Sequence, residues 1–109
     1  MNNIYDRYTY RVTWSEEDQE HVGSCSELPS ISWLEGSAEG ALTGIRKIAK
    51  ECVSDMQAQG ETVPEPLSIK KYSGKFMVRV TPDLHRVLAM QAVESGVSLN
   101  RLISNKLAG

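Results

Sequence analysis

Lys75, Met77 and Arg79 alternate with Phe76, Val78 and Val80 along six consecutive residues. In an extended chain neighbouring side chains point to opposite faces, so the first three share one face and the second three the other. The mostly cationic face suits a wet or anionic surface. The apolar face suits a core. In a chain of 109 residues a lone strand of this kind has little to cover its apolar side. Two copies pairing strand to strand would build one shared core and offer a two-stranded ribbon to DNA.

The elements that must position these six residues follow directly. Thr81 can cap a helix, Pro82 fits its first turn, and Asp83 favours the positive end of its dipole. Leu84, Val87, Leu88 and Ala92 recur at helical spacing. Gly96 suits a left-handed stop, and Ser98 a second cap. Leu99, Leu102, Ile103 and Leu107 then form a second apolar stripe. The pattern over residues 75–109 is strand, helix, glycine turn, helix.

This arrangement resembles the ribbon-helix-helix family of small DNA-binding repressors. The resemblance implies that Lys75, Met77 and Arg79 from two paired strands enter the major groove and meet base edges. Arg79 would reach guanine O6 and N7 in bidentate fashion, and Met77 would make apolar contact with a thymine methyl. Phe76, Val78 and Val80 would form the dimer core. Ser98, Leu99 and Asn100 match the family's second-helix start, where backbone N–H groups anchor a phosphate. The expected DNA target is an operator with an inverted repeat, and the expected assembly a homodimer or a tetramer. A rival reading spans Ala89 to Leu107 as a helix-turn-helix, which would place Asn100, Arg101 and Asn105 in the groove. That motif usually needs a third helix, whereas here a strand with a charged outer face precedes it. The plainest reading of Lys75 and Arg79 is that they are solvated strand charges.

The charge is unevenly spread. Residues 1–68 hold five Lys or Arg and twelve Asp or Glu, a balance of −7; residues 69–109 hold seven and two, a balance of +5; together they give the net −2. A basic unit is the footprint of a phosphate-backbone partner. An acidic unit attracts a basic protein, which raises on-rate and selectivity more than affinity. Two opposite fields in one chain point to two different partners. A hydrophobic content of 40% is ordinary for a globular protein, and no run of eighteen apolar residues would make a membrane span. Met1 to Asp6 lacks the basic and apolar pattern of a secretion signal, so a cytoplasmic location is expected.

The N-terminal half reads as strands followed by a helix. Tyr8 to Trp14 alternate, with Tyr10, Val12 and Trp14 on one face. A charged turn, Ser15 to Glu20, leads to a partner strand over His21–Cys25, and Ile31–Leu34 reads as a third. Ser37 caps a long helix whose apolar stripe runs Ala38, Ala41, Leu42, Ile45, Ile48, Ala49, Cys52, Val53 and Met56. Gly40 and Gly44, one turn apart, either admit a close neighbour or are tolerated surface positions. Gly60 ends the helix. Pro64 and Pro66 begin an extended linker with a short strand at Leu67-Ser68-Ile69. The fold class is α+β, a small sheet with one packed helix, followed by the strand-helix-helix unit. The expected domains are 1–66 and 75–109, joined by a linker over 67–74.

Chemistry-bearing clusters are few. Cys25 and Cys52 lack Cys-x-x-Cys spacing, and His21 and His85 lie at no zinc-like distance from them. Both cysteines read as packing residues. No nucleophile–base set can be assembled, so no enzyme activity, metal or cofactor is expected.

The order Tyr10, Glu16-Glu17-Asp18, Val22, Glu27-Leu28-Pro29, Gly36-Ser37-Ala38-Glu39-Gly40-Ala41-Leu42 and Gly60…Val63-Pro64-Glu65-Pro66 resembles the HicB family of antitoxins. The likeness covers roughly residues 8–66, and a C-terminal DNA-binding appendage is typical of the family. Cys25-Ser26-Glu27 stands where relatives often carry an aromatic or Phe-Pro-Asp segment, with Glu27 in place of the usual acid. The resemblance implies a partial ribonuclease-H-like N-terminal domain that covers a small basic HicA-type toxin, an mRNA-cleaving ribonuclease. It implies a C-terminal domain that represses the operon encoding both, in a type II toxin-antitoxin pair. Glu16, Glu17, Asp18 and Glu27 are then the candidate toxin contacts; a soluble hairpin tip would need the same acids. The alternative function is a stand-alone ribbon-helix-helix regulator whose N-terminal domain oligomerises or senses a ligand.

Overall fold

The computed structural model describes residues 3–109, and the chain divides into two compact units between Tyr72 and Ser73. Positions 1 and 2, where the first domain and the signal-free terminus are expected to begin, lie outside the described residues. Among the described residues the architecture is α+β, with three antiparallel strands and three α-helices.

In the first unit a single 3-10 turn (Ile4–Arg7) precedes β1 (Tyr10–Ser15), β2 (Glu20–Cys25) and β3 (Ser32–Glu35). The sheet order is β1-β2-β3. Tyr10 faces Cys25, Val12 faces Gly23 and Trp14 faces His21; Gly23 in turn faces Trp33, and His21 faces Glu35. Helix α1 (Ala38–Ala58) begins where the Ser37 hydroxyl accepts the Gly40 N–H at 3.0 Å. It lays Ala41, Gly44, Ile45, Ala49 and Val53 on the sheet. The core gathers Tyr8, Cys25, Leu28, Ile45, Ala49 and Val53.

Glycines set how closely the layers approach. A Cβ at Gly23 would stand 2.6 Å from the Ala41 carbonyl oxygen and 2.9 Å from Ile45 Cβ, so the bare backbone of β2 admits the helix. A Cβ at Gly44 would fall on the Trp33 indole. The close neighbour that Gly44 admits is therefore an aromatic ring, not a second backbone.

Three sequence expectations change here. Leu42, on the predicted apolar stripe, is exposed, because the helix turns its Ala41–Ile45–Ala49 edge to the sheet. The short strand expected over Leu67–Ile69 is a turn, closed by the Ile69 and Lys70 N–H groups, which donate to the Pro66 carbonyl at 3.3 and 3.1 Å. The three-residue turn that follows buried Pro66 uses the Ile69 and Lys70 amides locally, so they pair with no strand. Tyr8 lies ahead of β1 rather than inside it, and is buried with its hydroxyl donating to the Pro64 carbonyl at 2.8 Å.

The second unit holds α2 (Pro82–Ser95) and α3 (Leu99–Ala108). Thr81 caps α2, accepting the Leu84 N–H at 3.2 Å, with Pro82 in the first turn. Gly96 closes α2 at φ 68°, the left-handed conformation that lets the chain leave the helix. The Val97 N–H then reaches back to the Ala92 carbonyl at 3.0 Å. Ser98 caps α3 through the Arg101 N–H at 3.1 Å. The strand expected over 75–80 has no ladder in the single chain. The reason is elementary: a strand is defined by a hydrogen-bonded neighbour, and one copy supplies none.

Candidate nucleic-acid and partner interfaces

All six residues from Lys75 to Val80 are exposed. On the apolar side Phe76 is 77% exposed, Val78 66% and Val80 45%. Leu84, Val87 and Leu107 of the two helices are exposed as well. Phe76, Val78 and Val80 border an open cavity of about 610 Å³ together with Leu88, Leu99 and Ile103. The structure thus brings the expected dimer-core residues to one apolar hollow floored by the inner faces of both helices. The only buried residue of α2 is Ala92, and α3 has none. A contiguous apolar surface of this kind marks an interaction site.

Lys75, Met77 and Arg79 stand in solvent, Met77 at 85% exposure. No ion pair recorded among the described residues involves Lys75 or Arg79. The start of α3 holds the other candidate residues, Ser98, Leu99 and Asn100. Ser98 is occupied by its own capping role, and the Leu99 and Asn100 N–H groups sit in the first turn, where no intrahelical acceptor exists. Backbone donors and the helix dipole together favour an anion there. Asn100, Arg101 and Asn105, the residues of the helix-turn-helix alternative, are exposed too.

The N-terminal acids fall into two groups. Glu16, Glu17 and Asp18 occupy the exposed tip between β1 and β2. Glu16 accepts the Trp14 indole N–H at 2.7 Å, and Asp18 pairs with the Ser15 hydroxyl at 3.0 Å. Trp14 itself is 51% exposed and lies edge-on to His21, with ring centroids 5.1 Å apart. Trp14, which alternation puts on one face with Tyr10 and Val12, pairs with His21 one step from the Ser15–Glu20 end of the ladder.

Glu27 is different from the tip acids. It is only 9% exposed, and its oxygens accept the Thr9 N–H at 2.8 Å, the Thr9 hydroxyl at 3.2 Å and the Leu67 N–H at 2.9 Å. Burial alone would raise its carboxyl; the N–H groups of Thr9 and Leu67, its own N–H and the Thr9 hydroxyl outweigh that and hold it below the usual glutamate value. Glu27 is therefore turned inward, pinning the segment after α1 to the sheet, and is set apart from the surface acids. Nothing local signals this role, because its partners lie 18 and 40 residues away.

Burial pushes the Tyr8 and Tyr10 hydroxyls up to about 12, with Cys25 the next contributor in both. Burial also pushes up the Cys25 thiol. No group of three or more His, Cys, Asp or Glu among the described residues is placed to hold a metal ion. No helix among them is long and apolar enough to cross a membrane.

One comparison bears on these surfaces. Residues 58–107 match the HicB family. The HicB match runs from the end of α1 to α3, so it takes in the linker, Lys75–Val80 and both C-terminal helices. It covers just under half of the chain and lies mainly outside residues 8–66, where the sequence resembles the same family. No curated protein and no solved structure matches the chain.

Proposed function

We propose that this protein is a HicB-type antitoxin of a type II toxin-antitoxin pair. Its N-terminal unit, a partial ribonuclease-H-like fold, binds and neutralises a small basic HicA-type mRNA-cleaving toxin. Its C-terminal unit, a ribbon-helix-helix completed by a second copy, binds an inverted-repeat operator and represses its own operon in the cytoplasm. The activity is binding, with no chemical step and no cofactor. The observation that carries this reading is the HicB match over residues 58–107. The charge split of −7 against +5 supports it independently, since a toxin that handles RNA needs a basic surface and the acidic unit complements one.

Phe76, Val78 and Val80 of two copies pack over the hollow that α2 and α3 leave open. Fully burying three such side chains per copy is worth roughly 9–18 kcal/mol across the pair before the costs of association. Pairing supplies each strand with the ladder it lacks alone. Lys75, Met77 and Arg79 then stand side by side on the outer face, where a two-stranded ribbon fits the major groove. The N–H groups of Leu99 and Asn100, beside Ser98, receive a backbone phosphate. On the other unit Glu16, Glu17 and Asp18 meet the toxin.

Replacing Arg79 by Ala tests the groove contact. Specific affinity for a duplex from upstream of its own gene is expected to fall by about 1–3 kcal/mol, while affinity for a scrambled duplex changes much less. Equal losses on both duplexes at fixed salt would show that Arg79 reads no base. The antitoxin half predicts a gene for a short basic protein beside this one, and growth restored when a product that is toxic alone is co-expressed with this chain; a neighbour of that kind whose toxicity is unaffected by this chain would contradict it.

A further inference from the structure

The stretch between Glu65 and Asp83 carries Lys70, Lys71, Lys75 and Arg79 and no acidic residue. Only Lys75 and Arg79 belong to the proposed ribbon. Lys70 and Lys71 are exposed, and no ion pair recorded among the described residues involves either.

Just upstream, the chain is fastened to the N-terminal unit. The Leu67 N–H donates to Glu27, the Ser68 hydroxyl donates to the Arg7 carbonyl at 2.7 Å, and Pro66 is buried. The turn on Pro66 takes up the Lys70 N–H, and the Tyr72 hydroxyl donates back to the Leu67 carbonyl at 3.2 Å. The backbone entering this stretch is therefore held, while Lys70 and Lys71 are exposed and form no ion pair among the described residues.

We propose that Lys70 and Lys71 form a basic arm that grips the DNA phosphate backbone beside the ribbon, extending the footprint beyond the base-contacting strands; this rests on the DNA-binding reading above. Chain length bounds the separation. Lys70 and Lys71 precede Lys75 by five and four residues, so they lie within roughly 14–18 Å of it even in a fully extended chain. A duplex presents a charge about every 1.7 Å of its axis, so a strand seated in the groove holds both lysines within reach of several phosphates. Lysine is a compact point charge on a flexible stem, suited to phosphate contacts that carry no sequence information. The arm contributes affinity and register and leaves specificity to the ribbon.

The test is the salt dependence of DNA binding by the full chain. The probes are a 30-base-pair duplex from upstream of its own gene and a scrambled duplex of equal length. In K70Q/K71Q the two-copy complex loses four charges, and the plot of log Kobs against log salt becomes shallower by up to about 3.6. Both duplexes weaken by the same factor, so their ratio is kept. K70R/K71R returns the wild-type slope. A K70Q/K71Q slope within about 1 of wild type, with an unchanged circular dichroism spectrum, overturns the arm while leaving the ribbon standing. A wild-type chain that binds neither duplex overturns both readings. A ratio that collapses in K70Q/K71Q overturns the claim that the arm is blind to sequence.

Discussion

Glu27 shows how one buried carboxylate can hold distant pieces of a small unit together. It accepts N–H groups from Thr9 and Leu67, and so joins the start of β1 to the segment that leaves α1. Glu27→Gln keeps the volume but turns an acceptor into a donor facing another donor. The expected cost is about 1–3 kcal/mol in urea unfolding at neutral pH. The sign of its pH dependence follows from its lowered pKa. Its stabilisation is complete above the unfolded glutamate value and is lost as pH falls through the folded one. The Gln variant should therefore show a flatter stability profile on the acid side than wild type; parallel profiles would contradict the role. Tyr8 and Tyr10 act at the other end of the scale. Their hydroxyls, raised to about 12, contribute stability that is present below the ordinary tyrosine value and lost as pH rises through 12. Absorbance at 295 nm should show two of the four tyrosines ionising only together with unfolding. Ionisation of all four before the near-ultraviolet dichroism changes would contradict the burial.

Helices were the elements most legible in the sequence, because their signals are local. Ser37, Thr81 and Ser98 cap as their positions predict, and Gly96 stops α2 in the left-handed conformation. The three N-terminal strands were legible by alternation, although their ends moved by one or two residues. Less local features were not readable. Which edge of α1 meets the sheet depends on Gly23 and Gly44, whose neighbours are set by register and not by spacing. Hence Leu42 lies outside and Gly44 inside. Gly44→Ala would drive a methyl into the Trp33 ring. Overpacking of this kind costs about 1–3 kcal/mol, read as a lower urea midpoint, whereas the same change at a free helical position gains stability. A stabilised Gly44→Ala would show that Trp33 is free to move aside. The turn at Leu67–Ile69 escaped for a similar reason: its apolar residues alternate like a strand, and only Pro66 and the contact with Glu27 decide otherwise.

At the scale of the whole molecule, the two units differ in how far one copy satisfies them. The N-terminal unit closes its own core around Ile45, Ala49 and Cys25. The C-terminal unit leaves its largest apolar side chains in water, with Phe76 at 77% exposure. The alternation over 75–80 marks an apolar face, and Phe76, Val78 and Val80 are exposed in the single chain. Residues 75–80 form no strand within one copy, and their pairing with a second copy belongs to the proposal. The opposite charges of the two halves, and the HicB match over residues 58–107, place DNA on one unit and a basic protein on the other in the proposed account. All of it depends on two copies sharing the face formed by Phe76, Val78 and Val80. Light scattering on the full chain measures this directly. The account predicts a mass of twice the 12.1 kDa of one chain, or an even multiple of it, and a shift toward one copy in Phe76→Ala. A wild-type mass of 12.1 kDa at micromolar concentration would contradict it.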